Sequence, residues 1–205
     1  MIMNRFRITL TATLLAALSA TPLCAEDGLI FAKIGPCLTS SVSAEQVLGL
    51  DDVKIDVSSN VMVEGGYILE FGKHVSAGTR IAYSRLDYEY DFSDSQNPPL
   101  GEETITEDCA ILMLQGVVEY RFKPDEFTPL FGLTGGFIFG GPDLDQSDFN
   151  DSPTADFMFG TFIGFGFPIA PELQGYVTFN ADFPLSEDIL PNLFSLQAGI
   201  AFEIE

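Results

Sequence analysis

Between residues 157 and 183 the chain alternates large apolar positions with small or polar ones. Phe157, Phe159, Thr161, Ile163, Phe165 and Phe167 share one parity, and Met158, Gly160, Phe162, Gly164 and Gly166 share the other. After Pro168-Ile169-Ala170-Pro171-Glu172 the alternation resumes, with Leu173, Gly175, Val177, Phe179, Ala181 and Phe183 set against Gln174, Tyr176, Thr178, Asn180 and Asp182. A period of two puts successive side chains on opposite faces, so each segment reads as a strand. A soluble sheet hides its bulky face and shows charge to water, yet no charged residue occurs between positions 157 and 171. The bulky face is therefore expected to meet lipid, and the small or polar face a narrow interior.

The same pattern recurs along the chain, and charged residues identify the inner parity. In the first segment, residues 28–35, Ile30, Ala32 and Ile34 oppose Leu29, Phe31 and Lys33, and Pro36 is expected to end the strand. In the second, Val61, Val63, Gly65, Tyr67, Leu69 and Phe71 oppose Met62, Glu64, Gly66, Ile68, Glu70 and Gly72. The third sets Thr79, Ile81 and Tyr83 outward and Arg80, Ala82 and Ser84 inward. Beyond it the apolar set changes parity to Leu86, Tyr88 and Tyr90, which reads as a bulge or as strand projecting above the membrane. The acidic stretch 91–108, with Pro98-Pro99, reads as a surface loop. The fourth strand opposes Ala110, Leu112, Leu114, Gly116, Val118, Tyr120 and Phe122 to Ile111, Met113, Gln115, Val117, Glu119 and Arg121. The fifth opposes Phe131, Leu133, Gly135, Phe137 and Phe139 to Gly132, Thr134, Gly136, Ile138 and Gly140. The eighth, after the hairpin 157–183, opposes Phe194, Leu196, Ala198, Ile200, Phe202 and Ile204 to Ser195, Gln197, Gly199, Ala201 and Glu203. The count is eight strands whose connections alternate long and short, which predicts an all-β fold: an eight-stranded antiparallel transmembrane β-barrel with both chain ends on the periplasmic side.

The N-terminus supplies an address. Arg5 and Arg7 precede an apolar run over residues 8–18 and then Thr21-Pro22-Leu23-Cys24-Ala25, which reads as a secretory signal peptide at 1–25, with the barrel domain at 26–205. Cleavage after Ala20 is the alternative, because Leu23 is larger than the residue preferred at its position. Leu23 also argues against lipidation of Cys24. Beyond Ala25 no apolar run approaches the roughly 20 residues of a spanning helix, whereas a barrel strand needs about 9–11. The formal net charge is −21, and all 30 acidic residues lie after the leader. Such a surface repels nucleic acid and anionic lipid. It keeps an oily chain soluble and its loops hydrated; divalent-cation binding among lipopolysaccharide head groups is the second reading.

An eight-stranded barrel is filled by its own side chains. Glu70, Arg80, Glu119, Arg121, Gln174 and Glu203 have inward parity near the periplasmic ends of their strands, so a Glu–Arg network is expected among Glu70, Arg80, Glu119, Arg121 and Glu203, because charges in a dry lumen must pair. A structural plug is the leading role for it and a switchable pore the alternative. Cys37 and Cys109 share the external end and inward parity, in an oxidising compartment where a disulfide between them would persist; two free thiols are the alternative. Asp143, Asp145, Asp148, Asp151 and Asp156 crowd one connection, but their spacing lacks the turn glycine and closing glutamate of an EF-hand, so a solvated loop with no metal site is expected and Ca²⁺ or Mg²⁺ coordination is the alternative. Trp is absent, which leaves the interfacial girdle to residues such as Tyr67, Phe71, Tyr120, Phe122, Phe183 and Phe202.

Two segments carry a family resemblance. Residues 127–136, Phe-Thr-Pro-Leu-Phe-Gly-Leu-Thr-Gly-Gly, are similar to the fifth strand of the outer-membrane β-barrel domain family, the OmpA- and OmpX-type eight-stranded barrels. The ending Gln197-Ala198-Gly199-Ile200-Ala201-Phe202-Glu203-Ile204 resembles the signal read by the barrel-assembly machinery, with Gln197, Gly199, Phe202 and Ile204 at its marked positions. Leu130 stands where the family often has tyrosine, and the chain closes on Ile204-Glu205 where the family has a terminal phenylalanine. The resemblance covers residues 28–205. It implies a monomeric outer-membrane protein in contact with outer-membrane lipids, lipopolysaccharide and the assembly machinery, without cofactor or enzymatic activity, serving envelope integrity or adhesion. A narrow channel for small hydrophobic molecules or ions, similar to OmpW-type barrels, is the alternative, and a soluble lipid-binding barrel is a third. His74-Val75-Ser76 superficially resembles the His-x-Ser of the lipid A deacylase family, but it occupies a short turn here and a late strand there.

Overall fold

The computed structural model describes residues 28–40, 42–43, 54–91, 104–123, 126–140, 155–185 and 190–204. They form β1 (Gly28–Thr39), β2 (Val42–Ser43), β3 (Lys54–Phe71), β4 (Val75–Asp91), β5 (Thr104–Arg121), β6 (Thr128–Phe139), β7 (Ala155–Ala170), β8 (Leu173–Pro184) and β9 (Leu193–Ile204). Each long strand runs antiparallel to its neighbours, and β1 pairs with both β3 and β9, which closes the sheet into an eight-stranded barrel. The two-residue β2 adds only to the end of β3. Closure removes the free strand edges that lipid cannot hydrate. The leader and Asp143, Asp145, Asp148 and Asp151 lie outside the described residues.

The inner and outer faces follow the alternation. Ile30, Ile34, Val63, Ile81, Leu112, Val118, Phe131, Leu133, Phe159, Ile163, Phe179, Leu196 and Phe202 are all exposed on the outside, and Leu133 and Ile163 are more than 60% exposed. Their inward neighbours Lys33, Glu64, Arg80, Gln115, Glu119, Arg121, Asp182 and Gln197 are buried. A water-soluble sheet has the reverse arrangement.

Three local expectations are corrected. Pro36 does not end β1, which continues to Thr39; the ladder to β9 omits Gly35 and Pro36 and resumes at Cys37 opposite Ser195, while Pro36 still sits opposite Val61 of β3. Pro lacks the N–H that one ladder needs, so only one side of the strand is interrupted. At Gly35 a Cβ would fall on the carbonyl of Leu196, so this close approach of β1 to β9 requires glycine. The second concerns the break at residues 168–172: β7 runs on to Ala170, with a register shift between Pro168 and Ala170, and only Pro171 and Glu172 form the turn.

The third concerns β4. Its inward parity runs unbroken from Arg80 through Ala82, Ser84, Leu86 and Tyr88 to Tyr90, so β4 contains no parity change. The bulge lies in β3, between Ser59 and Met62, opposite Leu86 and Ser84. Of the two sequence readings, the projecting strand applies. β3, β4 and β5 are 17 or 18 residues long against 12 for β6, β8 and β9, and the described β5–β6 ladder starts only at Leu112, so residues 104–111 extend beyond it. Outside the lipid belt the apolar face turns inward, as in a soluble sheet.

The lumen is consequently filled in layers. At the long-loop end Leu86, Tyr88, Met62, Met113, Ile138, Met158 and Leu193 form an apolar plug. A charged layer follows. Below it Leu29, Phe31, Ile68, Val117, Leu130, Phe162 and Tyr176 form a second apolar cluster.

Candidate functional site

Arg80 is the centre of the charged layer. From β4 it donates through Nη1 to Glu64 Oε2 (3.2 Å, β3), through Nε to Gln115 Oε1 (2.6 Å, β5), and through Nη2 to Thr134 Oγ1 (3.4 Å, β6) and the Asp182 carboxylate on β8. Gln115 Nε2 and Thr134 Oγ1 also donate to Asp182 Oδ1, at 3.2 and 3.3 Å. Glu64 uses its other oxygen to accept from Lys33 Nζ of β1 at 3.2 Å. Lys33 itself lies 4.8, 5.4 and 5.9 Å from the ring centres of Phe31, Phe162 and Tyr176, an aromatic setting that favours a desolvated ammonium. The layer therefore draws on β1, β3, β4, β5, β6 and β8 and contains two cations and two carboxylates.

No side chain of these four ions is more than 6% exposed. Desolvating an ion costs several kcal/mol, about as much as a well-placed partner and supplementary hydrogen bonds return. The geometry meets that condition, since both carboxylates and the guanidinium have several partners. Room for the arrangement comes from Gly160, where a Cβ would fall on Asp182 Oδ1.

A second set sits near the short-turn end. Arg121 donates through Nε to Glu119, its same-face neighbour on β5, through Nη1 to Gln174 Oε1 (2.8 Å) and Glu70 Oε1 (3.5 Å), and through Nη2 to the Tyr176 hydroxyl. Its guanidinium lies 5.3 Å from the Tyr176 ring centre, so Tyr176 stands between Arg121 and Lys33 and joins the two sets. Glu70 is 27% exposed and marks the mouth.

The sequence-predicted residues thus divide. Glu70, Glu119 and Arg121 come together, with Gln174. Arg80 does not join them; it pairs with Glu64 and Asp182 further in. Glu203 stays outside both sets, exposed at the rim, with its backbone N–H donating to the Glu172 carbonyl at 3.0 Å, because the last inward position of β9 sits beside the β7–β8 turn. Lys33, Glu64 and Asp182 were missing from the expected network although each has inward parity on a charged or polar face, which was the signal available. Gln197 is buried in the lumen and accepts from Asn180 Nδ2 at 3.1 Å; Phe202 and Ile204 face outward, and Gly199 lies opposite Lys33, where a Cβ would crowd that side chain.

Cys37 and Cys109 are both buried and no disulfide joins them. Cys37 lies opposite Ser195 on β1–β9 and Cys109 opposite Leu86 on β4–β5, with β3 and β4 between their strands. A disulfide needs Cα atoms about 4.4–6.8 Å apart, and neighbouring strands alone already take about 4.8 Å. In the projecting wall, burial pushes the Tyr88 and Tyr90 phenols up, so both stay neutral. His74 is held structurally in the β3–β4 turn, its Nδ1 2.9 Å from the Arg121 carbonyl oxygen and its ring stacked on Tyr120. Among the described residues no three His, Cys, Asp or Glu side chains gather into a metal site.

No protein-family profile matches the chain, and no curated protein matches it by sequence. Solved structures do. The outer membrane protein OprG from Pseudomonas aeruginosa superposes with a TM-score of 0.57 at 13% identity, over 88% of this chain and 97% of that one. Neisserial surface protein A superposes with a TM-score of 0.56 at 13% identity, over 85% of this chain and 96% of that one. The chain has the eight-stranded barrel fold of these outer-membrane proteins.

Proposed function

We propose that this chain is an exported, non-enzymatic outer-membrane barrel, whose short turns face the periplasm and whose acidic long connections form an exposed surface for envelope integrity and adhesion. Its export relies on the 1–25 leader, its insertion on the barrel-assembly machinery, and its surroundings are phospholipid and lipopolysaccharide. One observation carries the non-conducting part of this reading: the Lys33–Glu64–Arg80–Asp182 layer crosses the lumen with every charge paired and buried. An apolar plug lies over it, so an ion entering from either end meets a barrier.

Planar-bilayer recording of the refolded protein tests this directly. The expected outcome is insertion without discrete conductance steps; steps that survive purification would favour a narrow channel. The polar set around Arg121, open at Glu70, is the feature that supports that second reading. Heat-modifiable migration and fractionation with the outer membrane are expected, and their failure would return the chain to the soluble-barrel class.

A further inference from the structure

We propose that the rim carrying Lys73, Lys123 and Glu126 binds a phospholipid head group that carries both a phosphate and a primary ammonium, as phosphatidylethanolamine does. The inference rests on the membrane reading above. Three of the described cations, Lys33, Arg80 and Arg121, turn into the lumen. Lys73 and Lys123 remain exposed at this rim, and Lys73 has no ion pair among the described residues.

The two lysines sit on neighbouring turns. The ladder places Val75 opposite Tyr120, and the Arg121 N–H donates to the His74 carbonyl at 2.8 Å; Lys73 precedes His74 at the tip of the β3–β4 hairpin, where Phe71 pairs with Val75, and Lys123 follows Arg121 at the same end of the barrel. The backbone beside each lysine is tied down, by His74 Nδ1 at the Arg121 carbonyl (2.9 Å) and by the Lys123 N–H donating to Thr128 Oγ1 (2.7 Å). Two ammonium groups on long stems can therefore reach one phosphate.

The patch is not simply cationic. Glu126 lies 3.3 Å from Lys123 Nζ, with both side chains about two-thirds exposed. A purely anionic head group would meet this carboxylate as a repulsion, whereas a head group ending in an ammonium would meet it as a partner, leaving the lysines for the phosphate. Directly below, on the outer face, Tyr120, Phe122 and Phe131 pack with ring centres 5.3–6.2 Å apart and give acyl chains a continuous apolar surface.

The test is lipid selectivity of the full-length folded barrel. The protein is refolded into phosphatidylcholine vesicles containing equal fractions of phosphatidylethanolamine and phosphatidylglycerol, and the lipids retained on the protein are counted by native mass spectrometry. Wild type is expected to retain phosphatidylethanolamine over both others. The K73Q/K123Q double variant is expected to lose roughly fivefold retention per lysine, and E126Q to shift its preference toward phosphatidylglycerol. Equal retention of the three lipids by wild type, or the same selectivity in wild type and K73Q/K123Q, would overturn the proposal. Protease protection of the same vesicles reads insertion separately: a protein that inserts without selectivity sinks this inference alone, and one that inserts into no vesicle sinks the membrane reading.

Discussion

Arg80 on β4 and Asp182 on β8 form an ion pair across the lumen although 102 positions separate them in the chain. The pair connects opposite halves of the barrel wall, and it is shared with Gln115 and Thr134 from the strands between.

Removing either partner strands a buried charge, so Arg80→Met and Asp182→Leu should each lower stability by about 3–5 kcal/mol. The double variant should be less destabilised than the sum, since no orphan remains on that side of the guanidinium site. Urea unfolding of the vesicle-folded protein, read as a double-mutant cycle, checks this; strict additivity would mean that the two groups do not interact.

Lys33→Met should cost less than Arg80→Met. Glu64 keeps the Arg80 contact when Lys33 is removed, and the methionine stem still packs against Phe31, Phe162 and Tyr176. The same unfolding assay ranks the two.

At the mouth, Glu70→Gln should change stability by less than about 1 kcal/mol, because its bond to Arg121 is long and partly solvated. Glu119→Gln, at a buried carboxylate in direct contact with the same guanidinium, should cost clearly more. Equal effects would show that the two carboxylates share the charge of Arg121 evenly.

Gly160→Ala should displace Asp182 and destabilise by about 1–3 kcal/mol. Gly135→Ala is the matched control. It faces outward, and a Cβ there meets nothing closer than 4.0 Å, so it should be near neutral.

Cys37 and Cys109 should resist alkylation in the folded barrel and react after unfolding without reductant, as read by mass on the peptides that carry them. A linked Cys37–Cys109 peptide pair, lighter by two hydrogens, would contradict the absence of a disulfide.

Alternation alone determined much of this protein. Because side chains on a strand change face at every residue, the parity of Lys33, Glu64, Glu119 and Arg121 already separates inside from outside, and eight such segments with alternating connections already specify a barrel. Parity says nothing of height or partner. Whether Arg80 meets Arg121's carboxylates or Asp182 depends on strand tilt and register around the closed ring, and closure brings β8 opposite β4 only in three dimensions. The same limit explains β4. Leu86, Tyr88 and Tyr90 continue the inward parity of Arg80, but an apolar residue marks the outside within lipid and the inside above it, and only the length of β3, β4 and β5 relative to their neighbours shows where that boundary falls. Cys37 and Cys109 were legible as inward and at one end; that β3 and β4 separate their strands is a property of the folded ring, which alone sets how far apart two inward side chains stand.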